Sequence, residues 1–136
     1  MYETFDHTAD LGLRIRAANL PALFAEAGQA LTHLLVENLA NVQPLQRVDW
    51  TQPREELPFM LFDFLSAILT RFEEQRLLLA FFEVQLTDSE LQVTAHGEPL
   101  DRSRHEADHE VKAITYHGLR VEPEGDGWLA EVIVDI

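Results

Sequence analysis

The sequence contains no cysteine, and only 10 of its 136 residues are lysine or arginine, against 24 aspartate and glutamate residues. Without cysteine there is no disulfide framework, no thiolate metal site and no thiol nucleophile. The net charge of −14 argues against a protein that grips nucleic-acid backbones, because that affinity comes from clustered Lys and Arg side chains. We therefore expect no strong direct binding to nucleic acid, whereas an acidic surface suits a basic protein partner.

Long apolar runs are also missing. No stretch reaches the roughly 18 apolar residues that cross a bilayer, and the opening residues Met1 to Thr4 lack the basic and apolar regions of a signal peptide. We expect a soluble, cytoplasmic protein that does not interact with membranes. Its 46% apolar content supplies a continuous core, and the length fits a single domain over residues 1–136.

Two stretches have the spacing of amphipathic helices. The first runs from Leu20 to Val36, after Asn19 as N-cap and with Pro21 in the first turn. The second runs from about Glu56 to Glu74, with Pro58 in its first turn and an unusually wide apolar surface.

Apolar and polar residues alternate, or β-prone residues cluster, in most of the remaining chain. We expect strands at Tyr2–Phe5, Leu11–Ala17, Leu45–Trp50, Leu77–Leu86, Leu91–Gly97, Val111–Val121 and Trp128–Asp135. Pairs of strands with two helices, rather than strict alternation, predict an α+β fold of two layers, in which a mostly antiparallel sheet packs on two helices. Residues 98–108 have no period and are expected to cross the surface.

The segment from His105 to His109 matches the H-E-x-x-H pattern of zinc hydrolases. That chemistry requires a helix whose apolar face anchors the two ligands. Here a charged stretch precedes the pattern, a β-type run begins at Val111, and no apolar residue larger than Ala lies within the five. We therefore reject a zinc hydrolase site at this position.

The polar segment from Asp6 to Asp10 lies between the first two predicted strands. Considered alone, it has the composition of an ordinary turn. The other end of the chain favours a functional role, because Glu131 to Ile136 stays apolar and β-branched to its last residue, with Asp135 beside the terminal carboxylate. If the two ends are neighbours, Asp10, Asp135 and the Ile136 carboxylate supply the oxygen ligands that hard divalent cations prefer.

Three motifs together resemble the archease family: residues 6–12 (Asp-His-Thr-Ala-Asp-Leu-Gly), residues 111–117 (Val-Lys-Ala-Ile-Thr-Tyr-His) and residues 134–136 (Val-Asp-Ile). The similarity covers nearly the whole chain. It implies a single archease domain with an SHS2-like fold, which is a strand-helix-strand-strand module, here elaborated by an inserted helical and β section.

The resemblance also implies a function. Archeases are accessory proteins, not enzymes, of the GTP-dependent RtcB-type RNA ligase in tRNA splicing and RNA repair, and they promote ligase guanylylation and multiple turnover. The family's metal site falls on Asp10, Asp135 and Ile136, with calcium the expected ion. The supporting residues implied are Asp6, His7, Lys112, Tyr116 and His117.

Two alternatives remain open at this point. The protein could be a general folding modulator, a chaperone-like role that has been suggested for the family. It could also be a small metal-dependent hydrolase with His7 as base. A hydrolase would turn over phosphoesters alone, whereas an activator does nothing until its ligase is present.

Overall fold

The computed structural model describes residues 1–7 and 10–136, with the side chain of His7 outside the description. In this part of the chain the helices are α1 (Leu20–Leu35) and α2 (Leu57–Gln75), and a short 3₁₀ turn covers Leu39–Asn41. The strands are β1 (Tyr2–His7), β2 (Asp10–Ala17), β3 (Gln46–Pro53), β4 (Leu77–Leu86), β5 (Glu90–Pro99), β6 (Ala113–Ile114), β7 (Arg120–Glu124) and β8 (Gly127–Asp135). In the described ranges, no helix is long and apolar enough to span a membrane.

The strands form two antiparallel sheets. The larger has the order β1-β2-β8-β6, with β7 also paired to β8, and the smaller has the order β3-β5-β4. Helix α1 packs mainly on β4 and β2, and α2 contacts β4, β6, β3 and β7, so the helices join both sheets around one core. The predicted α+β class is confirmed, and the strands divide between two sheets.

Helix α1 forms where its sequence predicts it. The Oδ1 atom of Asn19 accepts a hydrogen bond of 2.9 Å from the backbone N–H of Ala22, which satisfies one unpaired donor of the first turn. The helix ends at Leu35, and the next residue, Val36, has an extended backbone that forms an isolated bridge with Ala107. One face is fully buried because apolar residues recur every three or four positions; it includes Leu23, Phe24, Ala27, Leu31, Leu34 and Leu35.

Helix α2 also lies within a residue or so of its predicted range. Pro58 is in the first turn, where its missing N–H costs no helical hydrogen bond. Asp63 is exposed, as its isolated charge predicts. Arg76 ends the helix in the left-handed conformation with φ 55°, and its N–H bonds back to the carbonyl oxygens of Arg71 and Phe72. The buried face consists of Met60, Leu61, Phe64, Leu65, Ile68 and Leu69.

The hairpin of β4 and β5 contains one position that only glycine can occupy. A Cβ atom on Gly97 would lie 1.7 Å from the carbonyl oxygen of Leu78, because the two strands approach closely beside a bulge at Leu79 to Phe81. The bulge precedes Glu98, which the register pairs with Leu78. Glu98 is therefore held at a fixed point on the buried side of the hairpin.

The prediction of one strand from Val111 to Val121 is wrong. Only Ala113 and Ile114 form β6; a turn follows in which Gly118 has φ +64°, and β7 then begins at Arg120 and runs in the same direction as β6. Both short strands pair with the same edge of β8. The β-prone residue types continue through the turn, so they do not show that the chain leaves the edge of β8 around Gly118 and rejoins it at Arg120.

Candidate functional site

The register of the larger sheet places Asp10 directly opposite Asp135, across β2 and β8. His7 on β1 is the partner of Asp10, and Ala113 on β6 is the partner of Asp135. Four neighbouring strands therefore contribute one residue each to a single row at one end of the sheet. This row connects the first strands of the chain with its last one.

Asp10 and Asp135 lie on the face of the sheet that the helices leave uncovered. Leu13 and Ile15 of β2 are fully buried toward the helices, and strand residues alternate between faces, so Asp10 belongs to the opposite face. Directly opposite residues of antiparallel strands share a face and have Cβ atoms roughly 5 Å apart. Both aspartates are partly buried. Two carboxylates are thus close together in a partly shielded place.

The end of β8 is anchored on both sides. The backbone N–H of Lys112 donates a 2.7 Å hydrogen bond to the carbonyl oxygen of Asp135. The side chain of Ile136 is partly buried and packs against the hydrophobic core. Because of these contacts, the main chain at Asp135 and Ile136 has a defined position beside Asp10.

The remaining residues named from the sequence do not all join this row. Asp6 pairs with Leu11 and therefore lies on the opposite face from Asp10, where it is exposed. The exposed Lys112 adjoins the row through its backbone. Thr8 and Ala9, and the side chain of His7, lie outside the described residues.

Tyr116 and His117 follow β6 in the turn that leads to β7. The ring of Tyr116 stacks on Phe62 of α2, with ring centroids 4.0 Å apart, so it belongs to the helical side of the molecule. The backbone N–H of His117 donates to the Thr115 hydroxyl at 3.3 Å. The structure therefore brings Asp10, Asp135 and Ile136 together and leaves Tyr116 on a separate surface.

The same uncovered face carries an ion-pair ladder that the sequence reasoning missed. Glu131 of β8 accepts hydrogen bonds from Arg14 at 2.6 Å and from Arg120 at 2.7 Å. Burial alone would raise the pKa of Glu131, but the hydrogen bonds from Arg120 and Arg14 outweigh it and hold that pKa below its usual value. The sequence signal for this ladder was the pair Arg14 and Arg16, which lie two residues apart in a predicted strand and therefore share a face.

Phe5 separates this ladder from the aspartates. Its ring lies over Gly12, where an added Cβ would come within 2.2 Å of the ring, and the guanidinium of Arg14 covers the ring at 4.6 Å. The arginines of the ladder also donate hydrogen bonds to three further glutamates, which lie on the same side of Phe5 as the ladder. Arg14 and Arg16 donate to Glu3, Arg16 donates to Glu124, and Arg120 donates to Glu122.

A second polar cluster lies around Glu98, which is only 2% exposed. Its carboxylate accepts hydrogen bonds from the backbone N–H of Gln43 at 2.6 Å and from His105 Nε2 at 3.2 Å, and it forms an ion pair with Arg104. The Nδ1 atom of His105 accepts from the Asp101 N–H at 2.9 Å, which places the imidazole proton on Nε2.

Both carboxylate oxygens of Glu98 therefore accept hydrogen bonds from donors of the same chain. Burial would raise the pKa of Glu98, but the hydrogen bonds from Arg104 and Gln43 outweigh this effect and lower the pKa. The expectation that residues 98–108 only cross the surface is wrong for Glu98 and His105, which are both buried. The segment from His105 to His109 is not helical, so it lacks the geometry of a zinc hydrolase motif.

Among residues 1–7 and 10–136, no group of three or more His, Cys, Asp or Glu side chains is placed to hold a metal ion. The predicted site differs in composition, since it combines the side chains of Asp10 and Asp135 with the main-chain carboxylate of Ile136. Two like charges directly opposite on adjacent strands destabilise a sheet. An all-oxygen donor set of this kind fits a hard cation such as calcium, which would offset that repulsion.

Comparison with known proteins agrees with the resemblance of the three motifs. The model of the Archease protein family (MTH1598/TM1083) matches residues 2–136. The chain is 37% identical to the protein archease of Methanopyrus kandleri over 139 residues, which cover 99% of each chain. It is 34% identical to the protein archease of Pyrococcus abyssi, over 99% of this chain and 98% of the relative.

Two solved structures share the fold. The solution structure of Methanobacterium thermoautotrophicum protein 1598 has a TM-score of 0.87 and 27% identity, covering 99% of this chain and 98% of the other. The crystal structure of an archease from Thermotoga maritima, described as a possible chaperone, has a TM-score of 0.70 and 24% identity, covering 100% and 98%. With the family model matching almost every residue, the chain belongs to the archease family.

Proposed function

We propose that this archease activates a GTP-dependent RtcB-type RNA ligase in tRNA splicing or RNA repair, by promoting ligase guanylylation and multiple turnover. It is not itself an enzyme in this proposal, and it acts in the cytoplasm. The observation that supports the proposal is the cross-strand pairing of Asp10 with Asp135, beside the anchored Ile136. The family membership of the chain supports it as well.

In this proposal Asp10, Asp135 and the Ile136 carboxylate hold a divalent cation, with calcium the expected ion. When bound, the ion supplies positive charge that phosphate oxygens can share. The protein's own residues fix the donors: the strand register sets the two aspartates, and the Lys112 N–H holds the Asp135 carbonyl. The net charge of −14 favours association with a basic ligase surface rather than with RNA.

The test is guanylylation and turnover of a purified RtcB-type ligase with and without this protein. We expect Asp10→Ala and Asp135→Ala to lose most of the activation and to lose calcium binding in calorimetry. Asp88→Ala, in the exposed hairpin turn, is the matched control and should activate normally. A two-residue extension after Ile136 should also weaken activation. Full activation by both site variants would refute the proposal.

The archease from Thermotoga maritima is described as a possible chaperone, and this gives a second candidate function for this chain. A folding modulator would suppress aggregation of an unrelated heat-denatured protein, and the Asp135→Ala variant would do so equally well. An activator of a ligase should leave that aggregation unchanged. Phosphoester hydrolysis by the protein alone would instead favour a metal-dependent hydrolase.

A further inference from the structure

Three aromatic rings form an exposed group at the start of α2. Tyr116 stacks on Phe62 with an interplanar angle of 9°, and it meets Phe59 edge to face with centroids 6.0 Å apart. Tyr116 is 60% exposed and Phe59 is 46% exposed. Since Phe62 covers one face of Tyr116, the exposed area of Tyr116 includes its other face.

Two carboxylates border these rings. Asp63 follows Phe62 in sequence and lies one helical turn after Phe59, so it shares the exposed face of the helix. Glu55, just before the helix, is close enough to Asp63 for hydrogen bonding between the carboxyl groups, which together with partial desolvation raises the pKa of Glu55. We call Phe59, Phe62, Tyr116, Glu55 and Asp63 the aromatic-acidic patch.

Several of the protein's other aromatic rings and carboxylates are matched by its own arginines. Arg14 covers Phe5 and Arg71 covers Trp50, each at 4.6 Å, and Arg76 lies over Phe72 at 5.2 Å. The partly buried Glu131 and the buried Glu98 are paired with arginine in the same way. Within the described ranges, no arginine or lysine lies over the three rings or forms an ion pair with Glu55 or Asp63.

We propose that the aromatic-acidic patch is a docking surface for an arginine side chain presented by a basic protein partner. A guanidinium is planar, stacks on an aromatic face and bonds a carboxylate with two parallel N–H groups, so rings beside carboxylates match both of its properties. A lysine ammonium lacks the stacking surface and the fork. RNA is disfavoured here because the carboxylates repel its phosphates.

The patch also lies near the row of Asp10 and Asp135. Ala113, the cross-strand partner of Asp135, is three residues before Tyr116, which is a span of about 10 Å in extended chain. The row is on the uncovered face of the sheet and the patch is on the helical side, so one partner that reaches around β6 contacts both. If that partner is the ligase, this part of the inference rests on the proposed function.

The first experiment uses a tetra-arginine peptide with blocked ends and NMR of ¹⁵N-labelled protein at physiological ionic strength. We expect saturable shifts at residues 55–63 and 115–117, with an affinity about fivefold or more above that for tetra-lysine. Tyr116→Ala and Asp63→Asn should remove this preference. Phe81→Ala removes an exposed ring elsewhere and should retain it, because Phe81 is 42% exposed on β4.

Equal affinity for the two peptides would mean simple charge attraction and would overturn the inference. Shifts centred elsewhere, for example at Asp49 and Glu83 on the smaller sheet, would do the same. Self-association through the patch, seen as a mass increase that Tyr116→Ala abolishes, would assign it to a second copy and also overturn it. The altered side chains are exposed or at the helix surface, and a wild-type-like NMR spectrum verifies that each variant folds.

A second experiment measures binding of the purified ligase to each variant by calorimetry. We expect Phe59→Ala and Tyr116→Ala to weaken binding about fivefold or more while calcium binding is retained. If the ligase binds these variants as tightly as wild type, the docking inference is wrong and the proposed function stands. If the ligase does not bind wild type, the proposed function fails, and the peptide titration alone decides the role of the patch.

Discussion

Two groups of carboxylates in this protein have opposite surroundings. Glu98 is buried and receives hydrogen bonds from Gln43, Arg104 and His105 of its own chain. Asp10 and Asp135 are only partly buried, and the sheet register places one acid directly opposite the other. In the first arrangement several donors surround one negative charge, and in the second two negative charges are directly opposite each other.

This difference separates a stabilising cluster from the proposed cation site. A buried carboxylate with all its oxygens satisfied costs little in the folded state and fixes the segments around it, here the end of β5 and the loop at Arg104. Like charges opposite each other on a sheet cost free energy unless a cation lies between them. We therefore expect removal of the Glu98 carboxylate to lower stability with or without a cation. Removal of the Asp135 charge should raise stability when no cation is present and lower it, relative to wild type, when a cation is bound.

The largest effect is expected for Glu98→Ala. Glu98 is only 2% exposed, so the change leaves three donors without their acceptor in a buried place. We expect a loss of about 3 kcal/mol in the free energy of unfolding. Urea unfolding at neutral pH measures it. Glu83→Ala removes an exposed carboxylate from the neighbouring strand and should change stability by about 0.5 kcal/mol or less. A similar small loss for both variants would contradict a structural role for Glu98.

A smaller effect is expected when pH is lowered. The folded pKa of Glu98 lies below its ordinary value of 4.5, so the unfolded state binds the proton first as pH falls. The stabilisation is complete above pH 4.5 and is lost as pH drops from there through the folded pKa, by about 1.4 kcal/mol for each unit between the two pKa values. Unfolding free energies measured from neutral to acid pH should fall more steeply for wild type than for Glu98→Ala, and equal slopes would exclude this contribution.

The sequence predicts the helices well because their signals are local. Asn19, Pro21 and Pro58 mark helix starts, and the apolar spacing defines the buried faces within a residue or two of the observed bounds. The break between β6 and β7 was not predicted, since it depends on one left-handed glycine and on the stacking of Tyr116 against Phe62.

The cluster around Glu98 and the pair of Asp10 and Asp135 could not be predicted from local sequence patterns either. Residues 98–108 have no period, so nothing in the sequence indicates that Glu98 and His105 are buried against each other. The adjacency of Asp10 and Asp135 depends on pairing between the second and the last strand, which periodicity cannot specify. The residues suggested Asp10 and Asp135 together only on the condition that the two ends of the chain are neighbours, and the strand register shows that they are.

The smallest and most diagnostic effect is expected for Asp135→Asn. With a chelator present, removing one of two opposed charges should stabilise the protein by about 0.5 kcal/mol, because the cross-strand repulsion is lost. With millimolar calcium, wild type should gain stability in proportion to the logarithm of calcium over its dissociation constant, and the variant should not. Thermal unfolding of both proteins in the two buffers should therefore reverse their order. Asp88→Asn in the hairpin turn should follow wild type in each buffer, and a variant that is less stable than wild type in chelator would show that Asp135 is compensated by its own chain, as Glu98 is.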